Sequence, residues 1–306
     1  MLMSNQTSAK ERLLAQARLD YQPDLVAVDA EAIARLPVRA DRFSHATTGL
    51  SEKPAGQTHQ AAAAYSIALN SINFMFWTPT PEGMARYDWN GAGGADGLTA
   101  ALDHVWGAQP APDRLREVLG SGEEKTVIDA FGDISMPRRR AHFLREVLRD
   151  DQLEQAAAEL VAAGDTGRLT SDDAERLAKR FPVAYGQDTY LMRAQLAVMW
   201  YAGYLIDQGT EIDCDVIVAA NYQMPRVMRS IKVLRYSPEL AAKIDRHTLI
   251  VRHSVEERAI RAATVLSTQA MAQHLGVSEH AMVNVLWKNR LACGNVPHHL
   301  TITTDY

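Results

Sequence analysis

The chain has 306 residues, 47% hydrophobic and 23% charged, with 32 Lys+Arg against 37 Asp+Glu for a formal charge of -5. That is the composition of a globular protein of one large or two small domains, and it excludes a disordered chain, a collagen-like chain and a coiled coil. The acidic balance also argues against a protein that lives by gripping nucleic-acid backbone, because phosphate neutralisation supplies most of that affinity. A small basic pocket for a single phosphate remains compatible with it.

The start, MLMSNQTSAK, has no apolar h-region, and no window approaches 18 apolar residues. Neither a signal peptide nor a membrane span is expected. The two cysteines, Cys214 and Cys293, make no disulfide framework and no zinc ribbon. They read as reduced thiols in the core or pocket wall of a cytoplasmic protein.

In chain order, residues 58–70 are Ala-rich without a breaker and predict a helix. Residues 84–89 followed by Asn90-Gly91 predict a β-hairpin, because Asn-Gly suits a type I′ turn. The run GAGGADG (91–97) fits neither GxGxxG nor GxxxxGK[ST] and reads as a turn or loop tip, not a nucleotide cradle. Across 137–163, Phe143, Leu144, Val147, Leu148, Leu153, Ala157, Leu160 and Val161 recur at three- and four-residue spacing, which predicts helix. Residues 164–171 read as a loop between helices. The nearly all-apolar stretch 188–207 predicts a central helix. Ser237-Pro238-Glu239 places Pro at N1 behind a Ser cap. Ser254 with Glu257 forms a capping box for a helix to about His274, and Ser278 caps another over 279–291. Gly120 and Gly276 mark helix ends. The tail 299–306 reads as a short extended piece. The fold class expected is mainly α, a compact helical domain with a small β-hairpin. The expected division is an N-terminal helical segment, 1–57, and a helical domain over 58–306 that can part into two lobes around a cleft.

The chemistry-bearing residues leave alternatives open. The ten histidines form no HExxH and no i, i+4 pair, and His298-His299 in an extended stretch point to opposite sides, so no metal site is expected. No GxSxG elbow or cysteine nucleophile motif is present. Asn73-Phe74-Met75-Phe76-Trp77 sets an amide beside three aromatic rings, which suits a pocket for a flat heterocycle and equally suits a core. Asp129 and Asp133 flank Phe131-Gly132; such carboxylates are caps, or, if buried, a catalytic acid or oxocarbenium stabiliser. Asp213 and Asp215 pose the same question. Tyr222, Gln223 and Arg226 offer hydrogen bonds at a helix start. Arg193 and Arg261 lie mid-helix among apolar residues, where a guanidinium needs an internal salt bridge or a bound phosphate or carboxylate.

Taken in order over roughly 60–306, several stretches resemble the queuosine salvage family, the queuosine 5′-phosphate N-glycosidases that release the 7-deazaguanine base queuine. These are Ser71–Trp77, Asp133–Pro137, Arg193-Ala194-Gln195, Asn221–Arg226, Leu234–Leu240, Ile260-Arg261-Ala262, Leu286-Trp287, Val296–His299 and the terminal Tyr306. The resemblance implies a helical fold similar to helical DNA glycosylases and hydrolysis of an N-glycosidic bond with no metal and no cofactor. It implies a small nucleoside or nucleotide as partner, with no nucleic acid and no membrane. The sequence carries no signal for oligomeric state. On this mapping Phe74 and Trp77 wall the base, Asn73 and Tyr222 bond the substrate, and Arg193, Arg261, His299 and Lys288 are further binding candidates. Asp133 is the expected catalytic acid, with Asn221 holding sugar or base.

The departures from the family pattern are equally specific. Asn221 stands at an Asp position, Gln223 at Arg, Ala259 at Glu and Lys288 at Asp; Trp200 falls near a further acid, and Leu300 and Ile302 stand where the pattern has Arg. Asn matches Asp in shape but carries no charge for an oxocarbenium ion. Two rivals to hydrolysis follow: a protein that binds a nucleotide or base without turnover, and an altered reaction in which a buried Lys288 serves as amine nucleophile or base.

Overall fold

The computed structural model describes residues 7–37, 58–81, 83–107, 112–217 and 220–306. It is mainly helical, with strands only in two-stranded sheets. The chain separates into two compact units. One comprises the described residues of 1–46, 170–175 and 214–302, the other those of 47–169, 176–213 and 303–306.

In the first unit the helix Ala9–Asp20 opens on a full capping box, Ser8 and Glu11, and packs along Val255–Leu275. This N-terminal helix packs with the C-terminal third, and the boundary expected at 57 lies outside the described residues. The Lys10 ammonium donates to Asp215 and lies 2.9 Å from Glu279, tying the start of the chain to two later segments. Strand Val26–Val28 pairs antiparallel with Leu234–Tyr236, Ala27 facing Arg235. Ser237, Ser254 and Ser278 each accept the N–H three residues on and open Pro238–Asp245, Val255–Leu275 and Glu279–Lys288. Gly276 closes the second of these at φ 66, a left-handed value that costs glycine nothing. The helix expected to reach 291 tightens at Asn289 into the 3₁₀ turn Asn289–Cys293. Within the extended tail, Leu300 forms a parallel bridge with Leu249.

The second unit is built on helix His59–Ser71, buried at every position from Ala61 to Ser71. Its alanines permit close approach by Gln152–Gly164 and Met192–Asp207. A Cβ at Gly164 would stand 2.9 Å from a Leu205 methyl and would oblige that side chain to shift. The predicted hairpin is present: Asp88 faces Gly93 and Trp89 faces Ala92. Asn90 and Gly91 take φ 52 and 89, the two positive values of a type I′ turn. A second hairpin, Trp77–Thr80 with Gly83–Arg86, was not foreseen. The helical pattern 137–163 is two helices, Pro137–Val147 and Gln152–Gly164, because Asp150 turns left-handed at φ 50. In GAGGADG, Gly94 caps helix Ala95–Trp106, and a Cβ on Gly97 would meet the Ala92 carbonyl at 2.3 Å. These glycines serve packing. Strand Arg168–Thr170 and the start of helix Ser171–Arg180 occupy the end of the expected loop.

Both cysteines are buried, and neither is in a disulfide. No helix among the described residues is long and apolar enough to cross a membrane.

Candidate functional site

The aromatic run after His59–Ser71 turns inward. Phe74 is 0% exposed. Its ring lies 4.0 Å from the Arg140 guanidinium, 5.2 Å from that of Arg193 and 5.6 Å from Phe143. Protein groups thus surround the ring that the resemblance set against the base. Trp77 is buried at the start of its strand, opposite Arg86. Asn73 is nearly buried, and its amide donates to the Asn70 side-chain oxygen at 2.9 Å.

Arg193 is held by protein groups: its guanidinium donates to the main-chain carbonyls of Ser71 and Ala184. Sequence reasoning had set a salt bridge against a bound anion; carbonyl dipoles and aromatic faces are a third way to accommodate the charge. Arg140, which sequence reasoning missed, does the same, donating to Ser135 and Phe74 carbonyls. The signal was present, because Arg140 shares the 140, 143, 144, 147 spacing of its helix's buried face.

Asp133 is exposed in the bend before Pro137–Val147. It lacks the burial that its role as acid or charge stabiliser was conditioned on. Asp129 pairs with Lys125 at 2.5 Å on the surface, and Asp213 with Arg168 at 3.0 Å.

The first unit brings Asn221, Tyr222, Arg226 and Arg261 into one neighbourhood. Asn221 Oδ1 accepts the Gln223 and Met224 N–H groups at 2.8 and 3.0 Å, capping helix Gln223–Ser230. The neighbouring Tyr222 ring lies 4.6 Å from His298, tilted by 42°. Arg226 fastens this helix to the segment carrying His298, donating to the Val296 carbonyl at 2.6 Å and that of Gly294 at 3.0 Å. Behind them Arg261, 2% exposed, donates through Nε to the Ala220 carbonyl at 3.0 Å and lies 3.7 Å from the fully buried Glu257. Arg261 is thus in an internal ion pair. Glu257 also accepts the His253 N–H at 3.1 Å, so its carboxylate faces inward as well as closing a helix start.

His299 is 1% exposed. Burial, with smaller contributions from His298 and Arg261, holds its imidazole down at about 3, neutral at pH 7. It offers no cation to a phosphate. His298, not singled out from sequence, is the histidine that meets Tyr222. Its Nδ1 lies 2.9 Å from the His299 carbonyl oxygen. A carbonyl only accepts, so Nδ1 is the donor in this contact. Both rings are buried, so the alternation expected along 298–299 leaves neither in solvent. Lys288 ends its helix exposed to solvent, contrary to the buried amine that the altered-reaction reading needs. Among the described residues no group of three His, Cys, Asp or Glu is placed to hold a metal ion.

The arrangement in the first unit is therefore a tyrosine ring and a histidine side by side, with a fixed amide at the adjoining helix start and a buried ion pair behind. It can stack on a planar group and exchange a proton at His298 Nε2. The family described as queuosine salvage protein matches residues 53–292 of the chain. A queuosine 5′-phosphate N-glycosylase/hydrolase of Sphaerobacter thermophilus is 28% identical over 320 residues, covering 96% of this chain and 97% of that protein. One of the same name from Dictyostelium discoideum is 24% identical over 269 residues, covering 81% and 79%.

Proposed function

The chain belongs to the queuosine salvage protein family, and we propose that it hydrolyses the N-glycosidic bond of a queuosine-5′-phosphate-like nucleotide, releasing the 7-deazapurine base. The observation that carries this reading is similarity running over 96% of the chain to a relative of that named activity. Water adds to the anomeric carbon, the carbon–nitrogen bond breaks, and the base leaves with a proton. His298 Nε2 is the group we assign to proton transfer, within the range of about 10²–10⁴-fold that a positioned acid or base contributes. Tyr222 stacks on the flat base beside it. Asn221 holds the sugar side of the pocket in shape, its oxygen fixed by two main-chain N–H groups. Arg261 and Glu257 set the backbone at Ala220 on which Asn221 and Tyr222 follow.

A second reading, binding without turnover, is favoured by Asn221 itself: it matches the Asp of the family pattern in shape, is held by two capping bonds and lacks the charge. One experiment separates the two. The chain is incubated with queuosine 5′-phosphate and the products are resolved by chromatography. Free base in excess of enzyme is the expected result. Saturable binding by calorimetry with no base released, even with enzyme in excess, would establish the second reading and overturn the first.

A further inference from the structure

A groove of about 760 Å³ opens in the first unit where Leu234–Tyr236 meets the end of helix Gln223–Ser230 and helix Ala30–Ala34. It lies at the opposite end of helix Gln223–Ser230 from Asn221 and Tyr222. Four cations line it, Arg35, Arg229, Lys232 and Arg235, against one acid, Asp29, and Tyr236 contributes an aromatic surface. This is a concentration of positive charge on a chain whose net charge is -5.

The cations are not all consumed internally. Arg229 is: it grips Asp245 through two bonds, 2.7 and 3.0 Å, and stands 5.2 Å from the Tyr236 ring, holding that wall in place. Arg235 is only loosely attached, 3.4 Å from Asp29, whose other oxygen caps helix Ala30–Ala34 by accepting the Ala32 N–H at 2.9 Å. Arg35 lies 3.6 Å from Glu31, both mostly in solvent, a pairing that contributes little. Lys232 has no ion-pair partner among the described residues and is exposed. It also sits at φ 64, just past a helix end, where glycine is the usual residue. A lysine kept at a strained left-handed position, at the rim of a groove it helps to charge, is the pattern of strain retained for a ligand.

We propose that this groove is a binding site for a small phosphate-bearing molecule, with Lys232, Arg235 and Arg35 as the phosphate donors and Tyr236 as the flat wall. Guanidiniums present paired donors to phosphate oxygens, and the volume is that of a nucleotide-sized ligand. The site is separate from the Tyr222–His298 pair and does not rest on the reaction assigned to it.

The test is calorimetric titration of the full chain, in a phosphate-free buffer of low ionic strength, with inorganic pyrophosphate and, separately, with adenosine 5′-diphosphate. Submillimolar binding is expected. Lys232→Gly relieves the left-handed strain, so its melting temperature should hold or rise while affinity falls about tenfold or more. Arg235→Gln should weaken binding to a similar degree, and Lys125→Gln, outside the groove, should leave it intact. Tighter binding of the nucleotide than of pyrophosphate assigns the ligand to nucleotides; equal binding assigns it to the phosphate groups alone. No binding of either probe at millimolar concentration, or affinity unchanged in both groove variants, overturns the proposal.

Discussion

Arg193 in the second unit and Arg261 in the first are both mid-helix guanidiniums shut away from solvent, and they are stabilised differently. Arg193 donates to two main-chain carbonyls and stands near the rings of Phe74, Phe143 and Tyr185. Arg261 lies against a buried carboxylate one helical turn away as well as a carbonyl. The difference bears on function. The first arrangement fills the space around Phe74 with protein, whereas the second leaves its helix supporting a segment, Ala220–Tyr222, in which the Asn221 and Tyr222 side chains remain partly accessible.

The largest expected effect breaks this comparison at its base. Arg193→Met strands two buried carbonyls, and Arg261→Met strands a buried carboxylate; each should cost about 3–5 kcal/mol in denaturant unfolding. Adding Glu257→Gln to Arg261→Met should recover about 1–3 kcal/mol, because the uncompensated charge is then gone. If the double variant is no more stable than the single, the ion pair does not hold this part of the first unit together.

The same pair shows what could be read in advance. The Glu257–Arg261 contact is local, four residues along one helix, so an internal salt bridge was visible as one of two alternatives. The Ser71 carbonyl lies 122 residues before Arg193 in the chain, and no periodicity encodes that meeting. Caps and turns were legible for the same reason as the salt bridge: Ser237, Ser254, Ser278 and Asn90-Gly91 act within two or three residues. The partner of the N-terminal helix was not, because Ala9–Asp20 meets Val255–Leu275 more than 230 residues later. At the site, Asn221 and Tyr222 could be picked out by their polar run. The burial of Phe74 and the exposure of Asp133 stayed open, because only tertiary packing decides them.

A smaller effect should separate the units by acid. His280 and His299, both in the first unit, are buried and held down at about 4 and about 3 respectively, chiefly by desolvation. Each is neutral in the fold and takes up a proton below its ordinary value once unfolded. Their contribution is complete above about pH 6.5 and is lost as pH falls towards those lower values, about 2 kcal/mol each by pH 5. Unfolding at pH 7 and pH 5 measures the loss, and hydrogen exchange should quicken in helix Glu279–Lys288. His299→Gln should flatten the dependence; an unchanged slope in that variant would remove His299 from the account.

The smallest effect concerns Asn221. Asn221→Ala removes the cap of Gln223–Ser230 and should cost about 1 kcal/mol by thermal melting. Asn221→Asp keeps the cap, restores a negative charge and should leave stability close to the parent while raising the rate of base release. A stable Asn221→Asp protein with no gain in rate would mean that the missing charge is not what limits the reaction.

The most direct test sets His298 against Asp133, the residue of the first unit assigned to proton transfer against the exposed carboxylate of the second. Base release from queuosine 5′-phosphate is followed under single-turnover conditions for His298→Gln and Asp133→Asn. The account predicts a loss of about 10²-fold or more for the histidine variant and an unchanged rate for the aspartate variant. Loss of activity in Asp133→Asn with His298→Gln unaffected would contradict it.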